Sequence, residues 1–143
     1  MKRSIALISC GKNKSSQKAQ AKDLYIGDLF KKARKYSEKV HSEFYILSAL
    51  HELVQPEKLL EPYNYTLNDL NKQEIVSWSH NVYKQIKDII KEGEEVEIYI
   101  YAGDKYRKFL VPLLEADGLK VNIPLKGLGI GRQLSWFKNN IGE

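Results

Sequence analysis

The feature that most constrains this chain is a repeated rhythm. A short aliphatic or β-branched run breaks into polar or glycine residues, and a stretch of helical periodicity follows. The runs are 4–9, 44–49, 96–102 and 120–125. Near-continuous apolar runs of this length fit strands covered on both faces, and such strands are parallel when helices connect them. With 143 residues, enough for one hydrophobic core, the rhythm predicts a single α/β domain over 1–143. Its architecture is a three-layer sandwich with a mainly parallel sheet.

The connecting segments carry helix signals. Asp28 is placed to cap a helix with Leu29, Ala33, Tyr36 and Val40 inward. Asn68 or Asp69 is placed to cap a long helix with Ile75, Trp78, Val82, Ile86 and Ile89 on one face, stopped at Gly93. Asp104 is expected to cap a third, carrying Tyr106, Leu110, Leu113 and Leu114, which Pro112 should kink or restart. A last helix follows the glycines at 127, 129 and 131, with Leu134, Phe137 and Ile141 inward. Segment 15–22 is polar and small and reads as a flexible loop. Segment 50–66 has two prolines and no period, so it reads as a long ordered loop, often a functional element.

Composition narrows the function classes. The chain is 43% hydrophobic and 29% charged, which argues against general disorder. No apolar run approaches the ~18 residues that span a bilayer, and no secretory cleavage pattern follows 5–8, so a cytoplasmic protein without a membrane partner is expected. The one cysteine, Cys10, forms no internal disulfide, and three scattered histidines give no metal spacing. Neither a metal nor another cofactor is expected. The net charge is +5, and the excess is concentrated in residues 1–40, where Lys2, Arg3, Lys12, Lys14, Lys18, Lys22, Lys31, Lys32, Arg34, Lys35 and Lys39 face only Asp23, Asp28 and Glu38. Such an excess attracts nucleic acid or a phosphorylated ligand, and equally describes a solvated surface.

In open parallel sheets ligands collect beyond the carboxyl ends of the strands, which nominates four segments. Ser9, Cys10, Lys12 and Lys14 surround Gly11 after the first run, a loop suited to an anion but without Walker spacing. Ser48 and His51 follow the second, offering a hydroxyl and an imidazole that works as acid or base near neutrality. Tyr63 ends the same connection, where an aromatic ring can stack on a base or pin the loop. Tyr101, Gly103, Asp104, Tyr106 and Arg107 follow the third run, with glycine allowing close approach and Arg107 offering a fork for phosphate. Gly129 and Arg132 open the last helix, where free N–H groups favour an anion, though close helix packing also explains the glycines.

Several of these blocks, in order, resemble the YaaA family of peroxide-stress proteins. They are Leu7-Ile8-Ser9 with Lys12, Leu47-Ser48-Ala49-Leu50 with Leu53, Pro56, Leu60, Pro62 and Tyr63, and Ala102 with Asp104 and Tyr106. The resemblance is closer still to compact, uncharacterised bacterial and phage domains. These share the Ser-Cys-x-Lys-x-Lys start at 9–14, Ile-Leu-Ser-Ala at 46–49, Tyr-Ala-Gly-x-x-Tyr-Arg at 101–107 and Gly-Leu-x-Ile-Gly-x-Gln-Leu at 127–134. It implies a fold of the uracil-DNA glycosylase type and a link to DNA or nucleotides. This chain is much shorter than YaaA and lacks its long insertions.

The expectation that follows is an enzyme for a nucleotide, nucleoside or nucleic-acid base, acting at an N-glycosidic bond, with Ser48, His51 and Asp104 as catalytic candidates. Ser9, Lys12, Ser48, His51, Tyr63, Asp104, Tyr106 and Arg107 are expected to line one pocket, with Gly129 and Arg132 on its rim. The alternative is a non-catalytic binder of DNA or a nucleotide.

Overall fold

In the computed structural model, which describes residues 3–142, the chain forms a five-stranded sheet with helices on both faces. In chain order the elements are β1 (Arg3–Ser9), β2 (Ala19–Gln20), α1 (Ala21–Leu24), α2 (Asp28–Val40), β3 (Glu43–Ser48), β4 (Glu52–Val54) and β5 (Leu59–Leu60). They continue with α3 (Lys72–Ile89), β6 (Val96–Tyr101), α4 (Asp104–Arg107), α5 (Leu110–Ala116), β7 (Lys120–Asn122) and α6 (Ile130–Ile141). The sheet order is β4-β3-β1-β6-β7. The last four are parallel to one another, and β4 runs antiparallel to β3.

β1 is central, and its alternating side chains feed two cores. Ala6, Ile8 and Cys10 pack with Phe30 and Ala33 of α2 and Phe137 and Ile141 of α6. Ile5 and Leu7 pack with Trp78, Val82 and Ile86 of α3 and Leu110 and Leu114 of α5. Being buried on both sides is why this strand reads as an unbroken apolar run. Among the parallel strands the spatial order is second, first, third, fourth in the chain, a doubly wound pattern whose connections diverge between β1 and β6.

Several boundaries differ from those expected. Segment 15–22 is tied down rather than loose. Lys14 bridges Tyr25, the Ser15 N–H donates to the Leu24 carbonyl at 2.7 Å, and β2 pairs with β5. The 50–66 connection contains β4 and β5, which are too short to show a period in sequence. Segment 120–125 is strand only over its first three residues, because Ile123 begins a turn that accepts the Lys126 N–H.

Helix starts are also displaced. Gly27 and Gly103, not Asp28 and Asp104, are the N-caps of α2 and α4, and both aspartates fall in the first turn. There a carboxylate acts on the helix dipole without capping an N–H. Asn68 and Asp69 are used in a one-turn 3-10 segment capped by Thr66, and Asn71 with Glu74 forms the reciprocal capping box of α3. Pro112 sits in the first turn of α5, where its missing N–H costs nothing, and the helix breaks just before it. Among the described residues no helix is long and apolar enough to cross a membrane.

Candidate functional site

The carboxyl ends of β1 and β6 lie side by side, with Leu7 opposite Ile100 and Ile8 opposite Tyr101. The chain leaves β1 toward α2 on one face and β6 toward α5 on the other. That divergence opens a cleft of about 180 Å³ lined by Ser9, Gly11, Tyr101, Ala102, Gly103 and the first turns of α2 and α6. Gly103 has an ordinary backbone, and a Cβ built on it meets nothing within 4 Å, so its hydrogen faces open space. At the mouth, α6 starts at Gly129 with no side-chain cap, leaving its first N–H groups open beside the exposed Arg132.

Beside the cleft, on the other side of the β1 end, polar side chains converge. The Tyr63 hydroxyl lies 2.6 Å from the Ser48 hydroxyl and 2.6 Å from that of Tyr25. Ser48 Oγ also accepts the His51 backbone N–H at 3.0 Å. The His51 ring meets the Tyr63 ring edge-on at 5.1 Å, and Lys14 Nζ stands 4.4 Å from the Tyr63 centroid. Cys10 Sγ is 3.9 Å from the Tyr106 hydroxyl, whose ring packs against Trp78. Trp78 in turn donates its indole N–H to the Ser48 carbonyl at 2.9 Å.

Burial sets the electrostatics. It pushes the Tyr25 phenol up to about 12, and raises Tyr63 and Tyr106 as well, so all three stay protonated donors at neutral pH. His51 is lowered, first by burial and then by the Lys58 charge, which leaves it a neutral imidazole able to accept a proton.

A strained turn holds this imidazole. Glu52, immediately after it, has φ of 65°, and its carboxylate accepts the Gln85 and Asn81 amides at 2.8 Å each. Gln85 also takes the Leu53 N–H. A non-glycine residue in the left-handed region persists only where its surroundings hold it, as α3 does here.

The expected site residues therefore fall into three groups. Ser9, Tyr101 and Gly103 line the cleft, although the Tyr101 hydroxyl turns away to His41 Nε2 at 2.6 Å. Cys10, Lys14, Ser48, His51, Tyr63 and Tyr106 make the hydroxyl cluster. Lys12, Asp104, Gly129 and Arg132 are exposed around the edge. Arg107 is not an open fork: its side chain is 14% exposed, one guanidinium nitrogen pairs with Asp104 at 3.3 Å, and Nε is buried without a partner among the described residues. Tyr63 is not an open stacking platform either, since Lys14 covers a face and its hydroxyl is occupied on two sides.

Tyr25 is the member that sequence reasoning missed. The Leu24-Tyr25 pair after a polar stretch was the available signal. The clamp residues Asn81 and Gln85 carried none, because they lie on the polar side of α3. Among the described residues no three His, Cys, Asp or Glu side chains stand close enough to hold a metal ion.

A family model described only as a family of unknown function matches residues 5–139. The chain belongs to the DUF6884 family. The DUF6884 match begins inside β1 and ends inside α6, so it takes in the cleft and the hydroxyl cluster alike. None of the curated proteins matches the chain.

Proposed function

We propose that this DUF6884 protein binds a nucleotide or nucleoside at the carboxyl edge of its sheet and acts on the N-glycosidic bond. The observation that carries the reading is the cleft where the β1 and β6 connections diverge, the place where doubly wound sheets take their ligands. Its volume argues for the mode. About 180 Å³ is below the ~300 to 1,000 Å³ of sites that swallow a drug-sized molecule, so one ring enters and the rest stays outside. A base or sugar fits that description, and the phosphate then meets the uncapped start of α6 and Arg132.

In this reading His51, neutral and held by the Glu52 turn, takes a proton from the attacking water. The phenols of Tyr25 and Tyr63, bonded to each other and to Ser48, hold the turn that carries His51. Asp104 at the rim is the carboxylate available to a developing cationic sugar. The sequence resemblance to YaaA, with the glycosylase type of fold that it implies, supports the same class.

The test incubates purified protein with a panel of nucleosides, nucleotides and modified DNAs and measures free base. Release that His51→Gln abolishes supports the reading. No release from any substrate, with no nucleoside raising the melting temperature, rejects it.

The second reading, a non-catalytic DNA or nucleotide binder, is favoured by the exposed Lys12 and Lys18 beside Lys14. Salt separates the two. A phosphate-driven DNA complex weakens with a log-log slope near ~0.9 per neutralised phosphate, whereas a ring in a cleft responds little.

A further inference from the structure

The amino-terminal end of β3 lies at the sheet edge opposite the cleft, and a cavity of about 490 Å³ opens there. Its walls are the last turn of α2, the start of β3 and the segment 55–57 that follows β4. The residues that matter are Ser37, Glu38, His41, Glu43, Tyr45 and Glu57.

Three properties set it apart. The chain carries +5, yet all the formal charges lining this cavity are carboxylates. Glu38 is held by Arg34 at 3.4 Å and Glu43 by Arg3, neither of which lines the cavity, while Glu57 has no partner among the described residues. Second, α2 ends here, and the carbonyls of its last turn add the negative end of a 13-residue helix. His41 does not offset them, because burial holds its ring below the ordinary imidazole range and leaves it uncharged at neutral pH. Third, Ser37 in the wall is fully buried, and its hydroxyl has no hydrogen-bond partner among the described residues. A buried hydroxyl left unpaired is unfavourable for the fold alone, so a group from a bound molecule would relieve it.

We propose that this cavity binds a small organic cation, an alkylamine or alkylguanidinium. The charged head lies against Glu57 and the carboxyl end of α2, and a polar hydrogen reaches Ser37 Oγ once the wall over it opens. Its volume falls within the range of small-molecule sites. Together with the absence of a metal-holding group among the described residues, that selects an organic cation over a bare ion. The proposal is independent of the nucleotide reading, since the two sites occupy opposite edges of the sheet.

Calorimetric titration of the full chain with agmatine and with spermidine tests it, with 1,4-butanediol as the uncharged comparison. Saturable binding of at least one amine is expected, with none of the diol. Glu57→Gln should weaken that binding by roughly 10-fold, as loss of a charge-assisted contact does. Ser37→Ala should weaken it by about 3-fold while leaving the ligand-free melting temperature equal or higher, because the unpaired hydroxyl is gone. Glu92→Gln removes the same charge from an exposed position elsewhere and should change nothing. Neither amine binding at up to about 10 mM, or equal losses in the Glu57 and Glu92 variants, overturns the proposal.

Discussion

The hydroxyls of Ser48 and Tyr63 lie 2.6 Å apart although 15 positions separate the residues in the chain. The contact closes the whole β3–β4–β5 excursion onto the carboxyl end of the sheet, and Tyr25 extends it from the connection after β1. A half-buried phenol between two hydroxyls is a joint in the fold as well as part of the candidate site. Tyr63→Phe removes both bonds and leaves Ser48 and Tyr25 facing carbon. We expect a loss of about 1 to 3 kcal/mol in urea denaturation, the cost of stranding buried polar groups. A loss under about 0.5 kcal/mol would mean that water replaces the phenol freely.

Glu52 offers a separable test of the strained turn. Glu52→Ala loses both amide contacts and keeps a Cβ at φ of 65°, whereas Glu52→Gly loses the same contacts and relieves the backbone. The glycine variant should therefore be the more stable of the two by about 1 kcal/mol. Equal midpoints in chemical denaturation would show that the turn relaxes when its clamp is gone.

Acid should destabilise the protein before its carboxylates titrate. His41 and His51 are both lowered from 6.5 by burial, with Lys58 adding to the effect at His51. Between the lowered folded values and 6.5 the unfolded chain binds protons that the folded chain refuses. The stability from keeping these rings neutral is complete above 6.5 and is lost as pH falls toward the folded values. The urea midpoint should drop between about pH 7.5 and about pH 5, and a His41→Gln, His51→Gln double variant should flatten that drop. An unchanged slope in the double variant would assign it to carboxylates.

The cleft and its rim are expected to respond differently to substitution. A valine side chain at Gly103 has open space and an unstrained backbone, so Gly103→Val should fold with a cost of about 1 kcal/mol, that of a poorer helix cap. It should also abolish nucleoside-induced thermal stabilisation by filling the cleft. Arg132→Ala should weaken a nucleotide by about 1.5 to 3 kcal/mol and leave the matching nucleoside unaffected. If both ligands lose equally, the phosphate is not held at the α6 start.

The sequence by itself determined the layers. Residues 5–8 are apolar without alternation because β1 is covered twice, and the α3 stripe of Trp78, Val82 and Ile86 keeps helical spacing because one face is buried. Both are local patterns written by burial, so they can be read without coordinates. The nomination of strand ends followed from the same patterns, since a parallel sheet fixes which ends share an edge.

Only the tertiary structure decided what those ends do. Ser48 ends β3, Tyr63 follows β5, and Cys10 and Tyr25 lie in the connection after β1, and no spacing rule links a hydroxyl to a partner that reaches it around a turn. Arg107, read as an open fork, is largely buried against Asp104, and Tyr101, read as a ligand contact, gives its hydroxyl to His41. Glu52 has the backbone of a glycine because Asn81 and Gln85, from a helix 29 to 33 residues away, hold its carboxylate. Side-chain direction and pairing are set by whichever elements pack together, and that depends on the whole chain at once.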